Sequence, residues 1–414
     1  MIPLAEAQDH LRRHLDPLDH VELPLARASG AVAAAPVRAL VSSPPFDNSA
    51  VDGYALGEVT GERCHIDGSV AAGEFSDEPL TPGTARRITT GAPVPPGTVA
   101  VAMQERARVI DDGVGVVFDS LPAAGENIRR AAEDFAVGDI VINESQLLGP
   151  AHLGLIAAAG HGSLSVVRQP VVGVCSTGAE LVEPGAPISG GQIPDTNRIV
   201  IAALLAAAGV ECVELGRTGD EPARVRAHLA ESTDRVDVIV TTGGVSVGEF
   251  DPVRAVLEGT DGARWMQVAI KPAKPFAFGT IDGVPVLGLP GNPVSAVVAF
   301  ELFVRPALSL LGGGSFEMTP TRPALAAERF RRRPDGKVHY VRVRTVEQSS
   351  RDEPGSPSRV APVAAQGSHQ LAGLALADGL GVLADGDGLD VGETINVLPL
   401  RWAPRTTSRT EARR

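Results

Sequence analysis

The spacing of apolar residues changes several times along this chain, and each change marks a different kind of element. Residues 4 to 18 place Leu4, Leu11, Leu15 and Leu18 at mostly helical intervals, which predicts a first helix. From about 45 to 132, short Val- and Thr-rich runs cut by Gly and Pro predict a small β domain. Over 133–168 the pattern turns helical again, with Leu147-Leu148 and the run Leu153 to Ala159. The economical expectation is a helical, elongated domain made of 1–44 and 133–168, with the β domain inserted into it.

Residues 169–315 read differently. Val171 to Cys175, Val210 to Leu215, Val236 to Thr241 and Val284 to Leu289 are strand-like, and Arg198 to Ala208, Glu221 to Ser232 and Val294 to Leu311 are helical. That alternation predicts an α/β domain with a mainly parallel sheet, whose ligands bind at the carboxyl ends of the strands. Residues 316–400 return to a β pattern, as in Val338 to Val343. The polar stretch Gln348 to Arg359 predicts a mobile loop, and the basic tail 401–414 predicts disorder. The expected fold class is therefore multidomain α/β plus β: an elongated four-domain chain with a central α/β domain.

Composition narrows the function. With 414 residues and 43% hydrophobic content, several packed cores are available, and 46 glycines with 33 prolines imply many turns. A formal net charge of −13 argues against nucleic acid as the main partner, so any anionic substrate needs a local basic patch. Cys64, Cys175 and Cys212 form neither a disulfide framework nor a zinc pattern, which predicts the reducing cytoplasm. The longest uncharged apolar run, Ile199 to Val210, is too short for a membrane span and predicts a buried helix. The N-terminus lacks a basic region followed by an apolar core, so no signal peptide is expected.

The basic residues carry a sharper signal. Lys271 and Lys274 sit in Lys-Pro-Ala-Lys-Pro, and every other basic side chain except Lys337 is arginine. A lysine ammonium is a compact point charge suited to closing on a phosphate oxygen, so the pair predicts an anion site at a strand edge. Three Gly-rich turns follow strands of the same domain. Gly243, Gly244 and Ser246 can aim amides and a hydroxyl at an anion, with Asp251 placed to hold a metal beside it. Pro290-Gly291-Asn292-Pro293 stiffens a second turn ahead of a helix whose N-terminal amides face an anion. Ser176, Thr177 and Glu180 end the first strand with hydroxyls and a carboxylate. Asn197 reads as a helix N-cap, and Asp195 is left open. His10 and His14 share a helix face without a third ligand and read as solvated. Asp47 and Asp52 lie in a loop dense in small and acidic groups, placed to project toward a neighbouring crevice.

Taken in order, these segments resemble the molybdopterin molybdenumtransferase family, whose relatives include the C-terminal domain of gephyrin. The resemblance runs from Asp47 to about Leu400. It implies insertion of molybdate into adenylylated molybdopterin with release of AMP, a requirement for Mg2+, and an elongated homodimer. Molybdopterin adenylyltransferase is the implied upstream partner. By motif, the implied functional positions are Asp52, Thr90, Arg129, Asp134, Glu180, Asp220, Asp251, Lys271, Lys274, Pro290, Pro293 and Ser368, with Glu180, Asp220 and Asp251 as metal ligands. Departures from the family pattern stand at Val99, Ala179, Pro194, Pro252 and Ala273, the last replacing a glycine of the lysine motif. Two readings from other classes are a non-catalytic scaffold and a serine hydrolase using Ser246, which needs His339 or His369 downstream.

Overall fold

The computed structural model describes residues 1–245, 251–346 and 357–400, which fall into two compact units: 1–19 with 167–414, and 20–166. Ser246, the segment 348–356 and the tail 401–414 lie outside the described residues.

The first unit is built on a six-stranded sheet. In chain order its strands are Val171–Thr177 (β1), Glu211–Thr218 (β2), Val238–Thr242 (β3), Arg264–Gln267 (β4), Pro275–Ile281 (β5) and Val284–Leu289 (β6), and their spatial order is β2-β1-β3-β6-β5-β4. The β2, β1, β3 and β6 strands run parallel, with Val174 opposite Val240 and Val240 opposite Leu287. Every residue of β3 is buried, as a strand covered on both faces requires. The remaining two strands, β5 and β4, pair antiparallel at one side; the aromatic run after the lysines is thus a strand in its own right. Because β2 lies on one side of β1 and β3 on the other, the chain changes direction between β1 and β3, and a crevice opens above their carboxyl ends.

Helices close the sheet on both faces. Pro222, Pro252 and Pro293 each occupy a first helical position, where the missing N–H costs nothing. The long apolar helix Pro293–Leu311 has a mean hydropathy of 1.8 and is 83% buried, so among the described residues the one segment long enough to cross a membrane is a core helix. It passes through a π turn at Phe300–Val304, and there Glu301 and Arg305 form a buried ion pair. Pro306 has no N–H to give the Leu302 carbonyl. Gln8, on the N-terminal helix Leu4–His14, donates its Nε2 to that carbonyl at 2.9 Å. Ala7 and Leu11 of the same helix, with Leu15 just past its end, enter the shared core with Phe276 and Phe303, whose rings stack at 4.2 Å.

The C-terminal strands close on themselves. Val338–Val346, Arg359–Pro362, Arg322–Ala326, Thr394–Pro399 and Gly379–Leu383 follow one another in the sheet, and the last pairs back onto the first. Closure leaves a barrel with no open edge among these strands. One short strand is added to it: Ile270–Lys271 runs parallel to Val338–His339.

In the second unit a six-stranded sheet holds Gly53–Leu56 between Ala100–Met103 and Thr84–Ile88, with Tyr54 and Phe118 in edge contact at 5.7 Å. The rest of it corrects the helical expectation. Residues 20–44 and 133–166 are mostly short strands and turns, including His20–Pro24, Ser163–Val167 and Val32–Ala33 in one sheet, and the α-helix is confined to Pro150–Ala158. Nor does the first helix belong with them, since its apolar face is used by the first unit. His10 is also not solvated: it is buried, with Nε2 2.8 Å from the Gly262 carbonyl, and burial lowers its pKa. Of the predicted mobile loop, Arg359 instead begins a strand.

The Gln8 contact makes a direct prediction. Gln8→Leu keeps the bulk and removes the donor, so unfolding free energy should fall by about 1–3 kcal/mol, the cost of leaving the buried Leu302 carbonyl without it. Urea denaturation followed by circular dichroism measures it.

Candidate functional site

A cavity of about 1080 Å3 occupies the crevice above β1, β3 and β6. Its floor is made by the three Gly-rich turns. Gly243 and Gly244 both have positive φ, +88° and +67°, and a Cβ on Gly243 would lie 2.5 Å from the Thr177 carbonyl oxygen. Only glycine lets the ends of β1 and β3 approach this closely. Asn197 lies on the helix Thr196–Ala207 and faces the same space. It is not the cap of its helix; Asp195 is, accepting from the Arg198 backbone N–H. Asn197 instead donates Nδ2 to the Gly291 carbonyl at 2.7 Å, tying the helix to the Pro290–Pro293 turn. Its Oδ1 is buried without a donor among the described residues, which leaves an acceptor for a ligand N–H in the wall.

Behind this floor stands a buried polar network. Ser176 Oγ donates to Asp195 Oδ1 at 2.9 Å and meets Thr242 Oγ1 at 3.0 Å, while Asp195 also binds the Arg198 guanidinium at 3.2 Å. Arg198 reaches Glu183 and Glu214 as well. Every member of this cluster has partners, so it fixes the strand ends rather than offering donors to a ligand. Ser176, expected at the surface of the site, is fully buried here and does not line the cavity; Thr177 does. In the same strand Cys175 is buried, and burial pushes its thiol up to about 12, far from a reactive thiolate.

One wall carries the cations. Lys271 and Lys274 both line the cavity, on the segment that leaves the barrel's added strand and enters β5. Ala273, buried between them, has φ +73°. The left-handed region disfavours an L side chain by about 1–2 kcal/mol, which accounts for the family's glycine at this place. Lys337 lines the cavity too, from the C-terminal barrel. Motif reading passed over it, although the near-exclusive use of arginine elsewhere was signal enough.

Three carboxylates complete the lining: Glu180, Asp220 and Asp251. Asp220 accepts from the Ala179 backbone N–H at 3.0 Å, so residue 179 contributes its amide, whatever its side chain. Asp251 caps the helix Pro252–Leu257 and is buried. The described residues hold no group of three or more His, Cys, Asp or Glu set to hold a metal ion among themselves.

Pro290, Gly291 and Asn292 line the cavity, whereas Pro293 begins the helix behind it. The first amide of that helix is not offered to an anion: Val294 N donates to the Ser368 carbonyl at 3.1 Å. This bond brings Ser368 and its neighbours Gln366 and Gly367 into the lining. Arg342 supports them from beneath. Its guanidinium is buried, donates to the Gly367 carbonyl at 3.0 Å, has no carboxylate partner among the described residues, and has its pKa lowered by desolvation.

The second unit holds the other expected positions. Thr90 donates both its backbone N–H, at 2.7 Å, and its hydroxyl, at 2.9 Å, to Asp52 Oδ1, and these bonds hold the Asp52 carboxyl below its ordinary pKa. Asp47 pairs with Arg130 and the Ala131 amide. Arg129 and Asp134 are exposed, with Arg129 in a two-residue strand opposite Asn48. Of the hydrolase constellation, Ser246 lies outside the described residues and His339 Nε2 is engaged by Asp335 at 3.1 Å.

Comparison with known proteins agrees with this architecture. Residues 2–160 match the MoeA N-terminal region (domain I and II), 173–310 a probable molybdopterin binding domain, and 323–400 the MoeA C-terminal region (domain IV). A molybdopterin molybdenumtransferase of Haemophilus influenzae is 35% identical over 96% of this chain and 98% of its own. Molybdopterin molybdenumtransferase 2 of Mycobacterium tuberculosis is 37% identical over 87% and 90%. A crystal structure of a molybdopterin biosynthesis MoeA protein from Pyrococcus horikoshii superposes with a TM-score of 0.79 at 27% identity, covering 96% of this chain and 99% of that one.

The strained Ala273 yields a prediction. Ala273→Gly relieves the left-handed backbone but loses a buried methyl, so the variant should gain up to about 1 kcal/mol of stability. Thermal denaturation checks it, a melting temperature below that of wild type contradicting the strain at Ala273.

Proposed function

The chain belongs to the molybdopterin molybdenumtransferase family, which places molybdenum in molybdopterin, and we propose that here molybdate is inserted into adenylylated molybdopterin with release of AMP. The observation that carries this reading is the convergence of every lysine in the chain on one cavity above a parallel sheet. Molybdate, the pterin phosphates and the dithiolene sulfurs are all anionic. In a protein of net charge −13 they require such a local patch.

Lys271 and Lys274 offset the charge of these anions and hold them against the turn at Gly243 and Gly244. Asn197 Oδ1 accepts from an N–H of the pterin, and the wall at Ser368 limits the space beyond. Positioning of two anionic partners in one crevice supplies the rate enhancement, with no nucleophile from the protein.

The donor set fits Mg2+ as an ion shared with substrate. Mg2+ retains waters and takes one or two carboxylates together with phosphate oxygens, and Glu180, Asp220 and Asp251 offer carboxylates on one cavity without forming a closed cage. When bound, the ion offsets charge on the phosphate linkage that joins AMP to the pterin. A homodimer, a cytoplasmic setting and supply of substrate by molybdopterin adenylyltransferase belong to the same proposal. In it, Asp52, Thr90, Arg129 and Asp134 are functional residues as well.

AMP release from adenylylated molybdopterin, measured with and without molybdate, tests the reading. The wild-type chain should release AMP only with molybdate present, chelation should stop it and Mg2+ restore it. Lys271→Gln should lower kcat/KM by about tenfold or more, the worth of one charge-assisted hydrogen bond. Tight binding of the pterin substrate without any AMP release would overturn the transferase assignment.

A further inference from the structure

Gln366, Gly367 and Ser368 line the cavity from a loop between the strand Arg359–Pro362 and the helix Leu371–Ala375. A loop beside a ligand is ordinarily the mobile part of a site. Here Arg342, in the barrel strand Val338–Val346, ties the loop down in two ways. Its main chain acts first: the N–H donates to Gln366 Oε1 at 3.1 Å, and the carbonyl accepts from Gln366 Nε2 at 2.8 Å. The Gln366 side chain thus extends the pairing of that strand past Pro362, which lies opposite Val343. The guanidinium acts second, donating from one nitrogen to the Gly367 carbonyl at 3.0 Å and the Gln370 carbonyl at 3.4 Å. On the other side, Val294 N holds the Ser368 carbonyl at 3.1 Å.

Local hydrogen-bond satisfaction does not require an arginine here. The Gly367 carbonyl also accepts from the Gln370 N–H at 3.0 Å, and the Gln370 carbonyl from the Gly373 N–H at 3.2 Å. Both carbonyls therefore keep a donor without the guanidinium. Against that small gain stands the cost of the charge. Arg342 is 1% exposed, and among the described residues its Nε has no partner and no carboxylate neutralises it. A buried cation without a counter-charge destabilises a fold, and an apolar side chain of similar volume is often as good or better in its place. What the guanidinium adds is rigid geometry: a planar fork that fixes two carbonyls of the loop relative to the strand. The Gln370 side chain completes the lock, its Oε1 accepting the Gly367 N–H at 2.6 Å.

We propose that Arg342 is a positioning residue for the reaction: from behind the cavity wall it sets where Gly367 and Ser368 stand. Arg342 does not itself line the cavity, so it acts only through the loop. This role rests on the function given above and deepens it. The barrel, through Arg342, and the helix Pro293–Leu311, through Val294, then hold one wall of the site between them.

Arg342→Met and Arg342→Lys test the role, each followed by melting temperature, AMP release and hydrogen exchange of the amides from 363 to 371. Arg342→Met should melt about as high as wild type, yet lower kcat/KM by about tenfold or more and speed exchange in the loop. Arg342→Lys, which keeps a charged donor, should recover part of the rate and part of the protection. If Arg342→Met does not fold, the same readings on Arg342→Lys decide, values equal to wild type counting against the role. Unchanged kcat/KM in folded Arg342→Met would overturn it. So would a loss of rate with exchange unchanged, or one that only follows a lower melting temperature. Absence of AMP release from wild type would instead sink the transferase reading. Calorimetric titration with adenylylated molybdopterin then decides the role of Arg342: weaker binding by Arg342→Met with faster exchange supports it, and equal affinity overturns it.

Discussion

The site depends on one short segment that two sheets share. Ile270 and Lys271 are hydrogen-bonded into the edge of the C-terminal barrel, and four residues later Pro275 starts a strand of the α/β sheet. Further bonds fasten it at both ends: Val338 N to the Ala269 carbonyl, Val268 N to the Lys274 carbonyl, and Ala269 N to the Ile2 carbonyl. The main chain that carries Lys271 and Lys274 is therefore fixed, and both side chains line the cavity. Two cations presented to one cavity from a fixed main chain are prepared for an anion.

Everything facing that segment is set by the sheet. The change of chain direction between β1 and β3 opens the crevice, and Gly243 allows their ends to touch. The Ser176–Asp195–Thr242–Arg198 network then holds the ends in register, with each buried polar group satisfied by another. Packing of Gln8, Leu11 and the helix Pro293–Leu311 supports the sheet from below. A mutation deep in this support would reach the site by moving a strand end, without touching a ligand.

Much of this was legible in the sequence where local rules dominate. Strand–helix alternation over 169–315 and glycine turns after strands depend on spacing and backbone freedom, which a sequence displays directly. What was hidden depends on partners distant in the chain. The helix Leu4–His14 could be read from its leucines, but not that its apolar face would be claimed by residues near 300. Residues 133–166 look helical because Ala and Leu are frequent, while pairing with strands near 20 and 37 overrides that preference. Ser176 and Asn197 exchanged expected roles for a related reason. Which polar side chain is buried and which faces ligand follows from the pleat and from the Asp195 cap, and neither is written in the motif.

A crystal structure of the protein with adenylylated molybdopterin bound tests the central claim most directly. The account predicts the phosphates within hydrogen-bonding distance of Lys271 or Lys274, in the crevice above β1, β3 and β6, with a pterin N–H against Asn197. A substrate bound elsewhere on the chain, with the three lysines left in solvent, would contradict it.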